Sequence, residues 1–260
     1  MEKMAVFKGL LQLINKPYVG NGILASSLGM DKAYTKIIFE KAGFKQAKYE
    51  YIRKYKEKYF YIDKELNQEL LDIEDILIKI KNNLKFPLFV KPSNSGSSIG
   101  ITKVIKEEDL KSAIENASKF DSKILIEEGI EGKEVECAVL GNEEVIASGV
   151  GEIKYLGDFY SFSAKYINQV EVIKADISNE LTEKIRALAI KAFKAIDGKG
   201  LSRVDFFLEK KTNEIIINEI NTMPGFTQSS CYAKLFEEYG IKYNDLVNKI
   251  INLALEIHKQ

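Results

Sequence analysis

The sequence predicts an α+β fold, and three observations carry that prediction. Much of the chain, especially its second half, falls into short runs of apolar and polar residues bounded by turn residues, the pattern of antiparallel strands. Longer stretches place apolar residues three and four positions apart, which predicts amphipathic helices. The strand–helix–strand alternation of a doubly wound sheet is only partial, so helices and strands segregate. At 260 residues the chain is long enough to bury a large core, as one domain or two lobes.

Composition narrows the classes of function. Lys and Arg number 38, as do Asp and Glu, so no net field draws the chain to nucleic acid, a membrane surface or an acidic partner. No apolar run approaches the ~20 residues of a membrane span. The first residues, MEKMAVFKGLLQLINKPYVG, have neither the apolar centre nor the cleavage site of a secretory signal, which predicts a cytoplasmic protein. Cys137 and Cys231 lack a metal-like spacing and are expected to pack. His258, the only histidine, belongs to a solvated helix end, which excludes Ser-His triads.

From the start, VFKGLLQLINKPYVGNG reads as a short helix stopped near Asn15, an extended Pro-Tyr-Val and a glycine turn. Ile23 to Ala42 is helical, with Asp31 as cap and Gly43 as stop. YEYIRKYKEKYFYID reads as strand and loop. Leu66, Leu70, Ile73, Leu77 and Ile80 share helical spacing, so a helix is expected over residues 65–84. FPLFVKPSNSGSSIGITKV predicts a buried strand ending at Lys91, a Ser/Gly loop and a second strand from near Ile99. Its lysine precedes the glycines, so it is not a Walker A loop. Ser93, Ser95, Ser97 and Ser98 still offer hydroxyls, and Gly96 and Gly100 open backbone N–H groups to an anion.

KEEDLKSAIENASKF is a helix with acids in its first turn. KILIEEGIEGKEVECAVLGNEEVIASGVGEI gives a buried strand into Glu127 and Glu128, a hinge at Gly129 and Gly132, and two or three antiparallel strands. Backbone groups of that hinge suit an adenine edge; Glu134 suits ribose hydroxyls or is a surface acid. KYLGDFYSFSAKYINQ is too apolar for a linker and reads as a lid. Ser178 caps a long amphipathic helix that Gly198 and Gly200 end, and the last helix runs from about Asn244 to His258.

Between them lies LSRVDFFLEKKTNEIIINEINTMPGFTQSS, two strands and a loop. Val204, Phe206 and Leu208 point one way, Arg203, Asp205 and Phe207 the other, and Glu219 and Asn221 share a side of the second strand. Asp205, Glu219 and Asn221 are hard oxygen donors of the kind Mg²⁺ takes together with phosphate. Arg203 adds a fixed cation for a phosphoryl oxygen or a developing negative charge.

Taken in order, MDK at Met30–Lys32, FVKPSNSGSSIG, ILIEEGIEGKE, the lid ending in AKY, SRVD and NEINTMPGFTQSS resemble the D-alanine–D-alanine ligases of the ATP-grasp group, from about Val6 onward. The resemblance implies an ATP-grasp fold: a remnant of the N-terminal domain at residues 1–20, a smaller lobe at 21–131, and a larger lobe with lid and Mg site at 132–260. It implies an ATP-dependent ligase that joins two D-alanines through an acyl-phosphate for peptidoglycan precursor synthesis, with Mg²⁺ or Mn²⁺, in a cytoplasmic protein that pairs as a homodimer.

The same resemblance assigns residues. Lys32 and Lys91 match lysines on the ATP phosphates, and Ser97 and Ser98 lie in the loop that closes over them. Glu127, Glu128 and Ile130 match the adenine connection and Glu134 the ribose contact. Asp205, Glu219 and Asn221 match the Mg²⁺ ligands; Arg203 and Gly225 match positions around the reacting phosphate and oxyanion. Ser230 matches the residue for the carboxylate of the second amino acid. Lys165 and Tyr166 match the lid, Lys165 facing ATP as well, and Tyr166 fits ligases that take D-alanine second. The usual N-terminal α/β domain, which holds the ammonium of the first D-alanine, is not expected here, and Gln228 and Cys231 depart from the residues usual beside the dipeptide. Two alternatives stand beside the ligase: a non-catalytic ATP-binding module, and a ligase with D-serine as second substrate.

Overall fold

The structure is a computed structural model that describes residues 3–96, 98–154, 171–228 and 230–259. Helices α1 (Lys3–Leu13), α2 (Ile23–Met30) and α3 (Lys32–Lys41) lead into strands β1 (Tyr49–Tyr55), β2 (Lys58–Ile62) and β3 (Gln68–Leu71), then α4 (Ile73–Asn83). Strands β4 (Leu88–Pro92) and β5 (Thr102–Val104), helix α5 (Leu110–Ala117) and strand β6 (Lys123–Glu128) follow. The second half holds β7 (Gly132–Gly141), β8 (Val145–Lys154), β9 (Glu171–Lys174), α6 (Asn179–Ala195), β10 (Gly200–Glu209), β11 (Ile215–Asn221), α7 (Cys231–Glu238) and α8 (Tyr243–His258).

The described strands form two antiparallel sheets. One has six strands in the order β3-β2-β1-β6-β4-β5; the other has five, β11-β10-β7-β8-β9. Ile76 and Ile80 of α4 and Leu110 and Ile114 of α5 pack on Ile52, Val90 and Ile126 of the first sheet. The second sheet is covered on both faces. Ile185, Ala189 and Phe193 of α6 meet Val135, Cys137, Val204 and Phe206 on one, joined by Ala25 and Phe39 from α2 and α3. Tyr232 and Phe236 of α7 and Leu246 and Ile250 of α8 meet Ala138, Leu140 and Leu201 on the other. No helix among the described residues is long and apolar enough to cross a membrane.

Local signals held at the helix starts. The Asp31 carboxylate accepts from the N–H of Tyr34 at 3.3 Å, and the Ser178 hydroxyl oxygen accepts from that of Leu181 at 3.2 Å. The helix expected over residues 65–84 is shorter. Leu66 has φ 65°, Gln68–Leu71 pairs with β2, and the helix begins only after Asp72. Leu66 and Leu70 are 44% and 49% exposed, so their helical spacing reflects no buried face; pairing with a neighbouring strand outweighs it. The second strand of the Ser/Gly hairpin starts at Thr102 rather than Ile99, because Ser98 (φ 59°) and Gly100 (φ 74°) hold the chain in a turn.

Two joints fix the strands that carry the site. At Gly132, where the chain passes from one sheet to the other, a Cβ would lie 2.0 Å from the carbonyl oxygen of Leu208, so only glycine fits. Asn21 is buried and its amide N–H groups donate to the Leu201 carbonyl (2.6 Å), the Ser202 hydroxyl (3.0 Å) and the Thr222 carbonyl (3.0 Å). It thereby clamps β10 to the segment after β11. The buried Lys8 ammonium donates to the Asn21 carbonyl at 2.8 Å; burial lowers its pKa to about 8.

Candidate functional site

A cleft of about 220 Å³ opens between the sheets, lined by Lys32, Lys36, Lys91, Lys103, Glu127 and Glu219 among others. Five of these six come from the first sheet and α3; Glu219 comes from β11. Glu128 at the end of β6, Ile130 from the connection to β7 and Glu134 near the start of β7 line the same cleft, as do Ser95, Gly96 and Ser98 from the Ser/Gly loop. Sequence-expected residues for the adenine edge, the ribose and the phosphates therefore share one cavity. Ser97, Lys165 and Tyr166 lie outside the described residues.

On the first sheet, Glu127 sits at the end of β6 with its carboxylate between two ammonium groups. Lys36 Nζ is 2.5 Å from Oε1, and Lys91 Nζ pairs with Oε2. Burial alone raises a carboxyl pKa, yet the two lysines outweigh it and hold Glu127 down at about 2. Burial also pulls Lys36 downward, while for Lys91 the attraction of Glu127 overcomes burial and raises it. Lys32, first residue of α3, donates to the Ser95 carbonyl at 2.5 Å and lies 3.9 Å from Glu219 Oε2, spanning the cleft from loop to β11. Ser93 is different from the other loop serines. It is buried, its hydroxyl donates to Asp31 Oδ1 at 2.6 Å and accepts from Ala33 N–H at 3.0 Å, so it ties the loop to α3 and is not offered to an anion.

On the second sheet, β10 and β11 set Asp205 directly opposite Glu219 and Arg203 opposite Asn221. A bulge follows at once: Phe206 pairs with Ile217, leaving Asn218 as the extra residue, the kind of irregularity that re-aims side chains. Arg203 grips Asp205 with two bonds of 2.7 Å each and lies 3.2 Å from Glu136, which β7 places across from Asp205. Glu136 accepts a bond of 2.6 Å from the Cys231 thiol at the start of α7. Burial pushes its carboxyl up to about 7, with Asp205 adding repulsion and Arg203 opposing both. Burial and the neighbouring Glu136 push the thiol of Cys231 upward too, so it is an unreactive donor. Beyond it, the Ser230 hydroxyl accepts from the N–H of Thr227 at 2.9 Å, and a Cβ on Gly225 would meet Ser230 Oγ at 3.3 Å, so these two residues close one turn.

No group of three His, Cys, Asp or Glu side chains able to hold a metal occurs among the described residues. Two carboxylates and an amide oxygen on neighbouring strands do suit Mg²⁺, which takes few protein ligands and completes its shell with phosphate oxygens and water. Sequence reasoning missed Lys36 and Glu136. Lys36 carried a readable signal, since it lies one helical turn after Lys32 and so on the same face. Glu136 carried none; only the pairing of β7 with β10 brings it to Arg203.

A larger groove of about 710 Å³ lies beside α3 and β1. Three of its acids are engaged within the fold, Glu50 with Tyr61 and Asn83, Glu40 with Tyr49 and Asp63 with Asn67. The chemistry-bearing set is in the smaller cleft.

Two antiparallel sheets closing on a cleft lined with lysines and acids define the ATP-grasp class of fold. A family model described as "D-ala D-ala ligase C-terminus" matches residues 38–252. The D-alanine–D-alanine ligase of Acetivibrio thermocellus is 51% identical over 251 residues, which cover 96% of this chain and 64% of that protein. Among solved structures, the VanG D-Ala:D-Ser ligase from Enterococcus faecalis aligns with TM-score 0.81 at 33% identity, covering 96% of this chain and 68% of its own. The D-alanine–D-alanine ligase from Bacillus anthracis complexed with ATP aligns with TM-score 0.75 at 25% identity, over 97% and 75%. The chain belongs to the D-alanine–D-alanine ligase family. It spans just under two thirds of the length of the first curated relatives it matches.

Proposed function

We propose that this chain is the ATP-binding and bond-forming part of a ligase that joins two D-alanines to D-alanyl-D-alanine for peptidoglycan precursors. The observation that carries the reading is the cleft itself: Lys32, Lys91 and Glu219 line one cavity with the β6–β7 connection, an arrangement suited to a nucleotide whose phosphates point at Glu219. The family membership and the ATP complex of the Bacillus anthracis relative support it.

In this reading Glu127, Glu128 and Ile130 receive the adenine and Glu134 the ribose. Lys32, Lys91, Ser97 and Ser98 hold the phosphates, with Lys165 from the lid. Asp205, Glu219 and Asn221 would hold Mg²⁺ or Mn²⁺, which when bound supplies neutralisation of phosphate charge. The carboxylate of the first D-alanine attacks the γ-phosphorus of ATP, the bond to the β-phosphate oxygen breaks, and ADP leaves. The free amine of the second D-alanine then attacks the acyl-phosphate carbonyl. The oxyanion collapses as the C–O bond to phosphate breaks, the phosphate leaving as hydrogen phosphate with the proton the nitrogen gives up. Arg203 and the N–H of Gly225 face those negative charges, Ser230 orients the second carboxylate, and Lys165 and Tyr166 exclude water. Neither step needs an enzyme nucleophile. Residues 21–131 and 132–260 serve as the smaller and larger lobe, joined through Ala25 and Phe39, which pack into the core of the second sheet; the change of sheet between Glu128 and Gly132 supports the boundary between them. The protein works in the cytoplasm, where ATP is available, and as a homodimer.

The purified chain with Mg²⁺, ATP and D-alanine is expected to release ADP in proportion to D-alanine and to form dipeptide, with both lost in Glu219→Ala. ATP binding without D-alanine-dependent ADP overturns ligation by this chain and leaves an ATP-binding module. A second reading, D-serine as the second substrate, is favoured by the likeness to the VanG ligase. Equal concentrations of D-alanine and D-serine separate the two through the mass of the dipeptide.

A further inference from the structure

Lys36 is 3% exposed, and its ammonium lies between the carboxylate of Glu127 (2.5 Å) and the ring of Tyr49 (5.2 Å to the centroid). Its backbone carbonyl accepts a bond of 2.9 Å from the Gln46 amide, which pins this turn of α3. The side chain of Lys91, on the other oxygen of Glu127, is 14% exposed against 4% for Lys36, and its strand runs straight into the Ser/Gly loop. Of the two lysines, Lys91 is the one placed to turn toward a ligand and Lys36 the one held.

Two cations therefore share one buried anion. When a polyphosphate draws the ammonium of Lys91 outward, Glu127 would be left as a buried carboxylate short of compensation, a costly state unless another cation remains. We propose that Lys36 is the resident counter-ion of Glu127, a positioning residue that keeps the carboxylate compensated so that Lys91 can leave it for the phosphates of the nucleotide. This inference rests on the nucleotide reading above. It separates ligands sharply: adenosine leaves Lys91 where it is, whereas ATP requires it to move.

Calorimetric titration with ATP and with adenosine is the test. Lys36→Met is expected to weaken ATP on the order of 10- to 100-fold, one to two steps of about 1.4 kcal/mol, while adenosine changes less than about twofold. Lys36→Arg restores most of the loss. In a Glu127→Gln background the carboxylate no longer needs a partner, so adding Lys36→Met changes the ratio of ATP to adenosine affinity by less than about threefold. Equal weakening of both ligands, or a further tenfold loss of ATP in the Glu127→Gln background, overturns the role; the latter would mean that Lys36 meets phosphate itself. Should Lys36→Met alone not fold, the comparison within the Glu127→Gln background still tests the role. A wild-type chain that binds no ATP sinks the nucleotide reading and the inference with it, whereas ATP binding that Lys36→Met leaves intact sinks the inference alone.

Discussion

Two walls of buried charge stand at the site, built from the same kinds of group in opposite proportion. The first lines the cleft; the second lies beside Glu219 on β10 and β7, outside the cleft lining. In the first, two cations, Lys36 of α3 and Lys91 of β4, hold one carboxylate, Glu127 of β6; in the second, two carboxylates, Asp205 and Glu136, hold one cation, Arg203. The first wall carries surplus positive charge, suited to a polyphosphate. The second carries surplus negative charge, suited to a divalent cation. Protonation follows the same inversion, Glu127 lying at about 2 and Glu136 at about 7. A buried charge cluster thus announces its ligand by the charge it leaves uncompensated.

Breaking the second wall has the largest expected effect. Arg203→Leu leaves Asp205 and Glu136, both nearly inaccessible, without their cation, and should cost about 3–5 kcal/mol of stability. Denaturant unfolding reads this as a shifted midpoint at constant slope. A loss under about 1 kcal/mol would show that the two acids are compensated from elsewhere.

The first wall gives a test in pH. The pKa of Glu127 is depressed in the folded protein, because Lys36 and Lys91 overcome its burial, so the unfolded chain binds more protons between the two values. Its contribution to stability is fully present above the ordinary value of 4.5 and is lost as pH falls toward about 2, by about 1.4 kcal/mol for each pH unit that separates the two values. Glu127→Gln should remove that part of the acid loss, seen as a flatter stability curve between pH 4.5 and about 2. An unchanged curve would mean that other carboxylates carry the acid sensitivity.

The smallest effect sharpens the comparison from the side of Cys231. Its thiol donates to Glu136, so Cys231→Ser keeps a donor and should change stability by less than about 1 kcal/mol, whereas Cys231→Ala removes it and should cost about 1–3 kcal/mol. Equal losses in both variants would make packing rather than the hydrogen bond the reason for the cysteine.

Much of this molecule is legible in the sequence because it is local. Alternation fixed which face of β10 carries Val204, Phe206 and Leu208 and which carries Arg203 and Asp205, since the pleat leaves a side chain no other choice. Asp31 and Ser178 announced their helices because a cap satisfies N–H groups two or three residues away. The family motifs lie in order along the chain for the same reason, each being a short run with its own glycines and charges. What the tertiary structure decided depends on residues far apart in the chain. Gln68–Leu71 became a strand because β2 was there to pair with it, and Ser93 was withdrawn from the anion loop by Asp31. Lys36 became a cleft residue because α3 lies against β6, and Glu136 met Arg203 because β7 and β10 pair in one register. Short-range sterics and hydrogen bonding set the elements; the burial of charge, and the partner each charge requires, exist only once distant strands have closed over it.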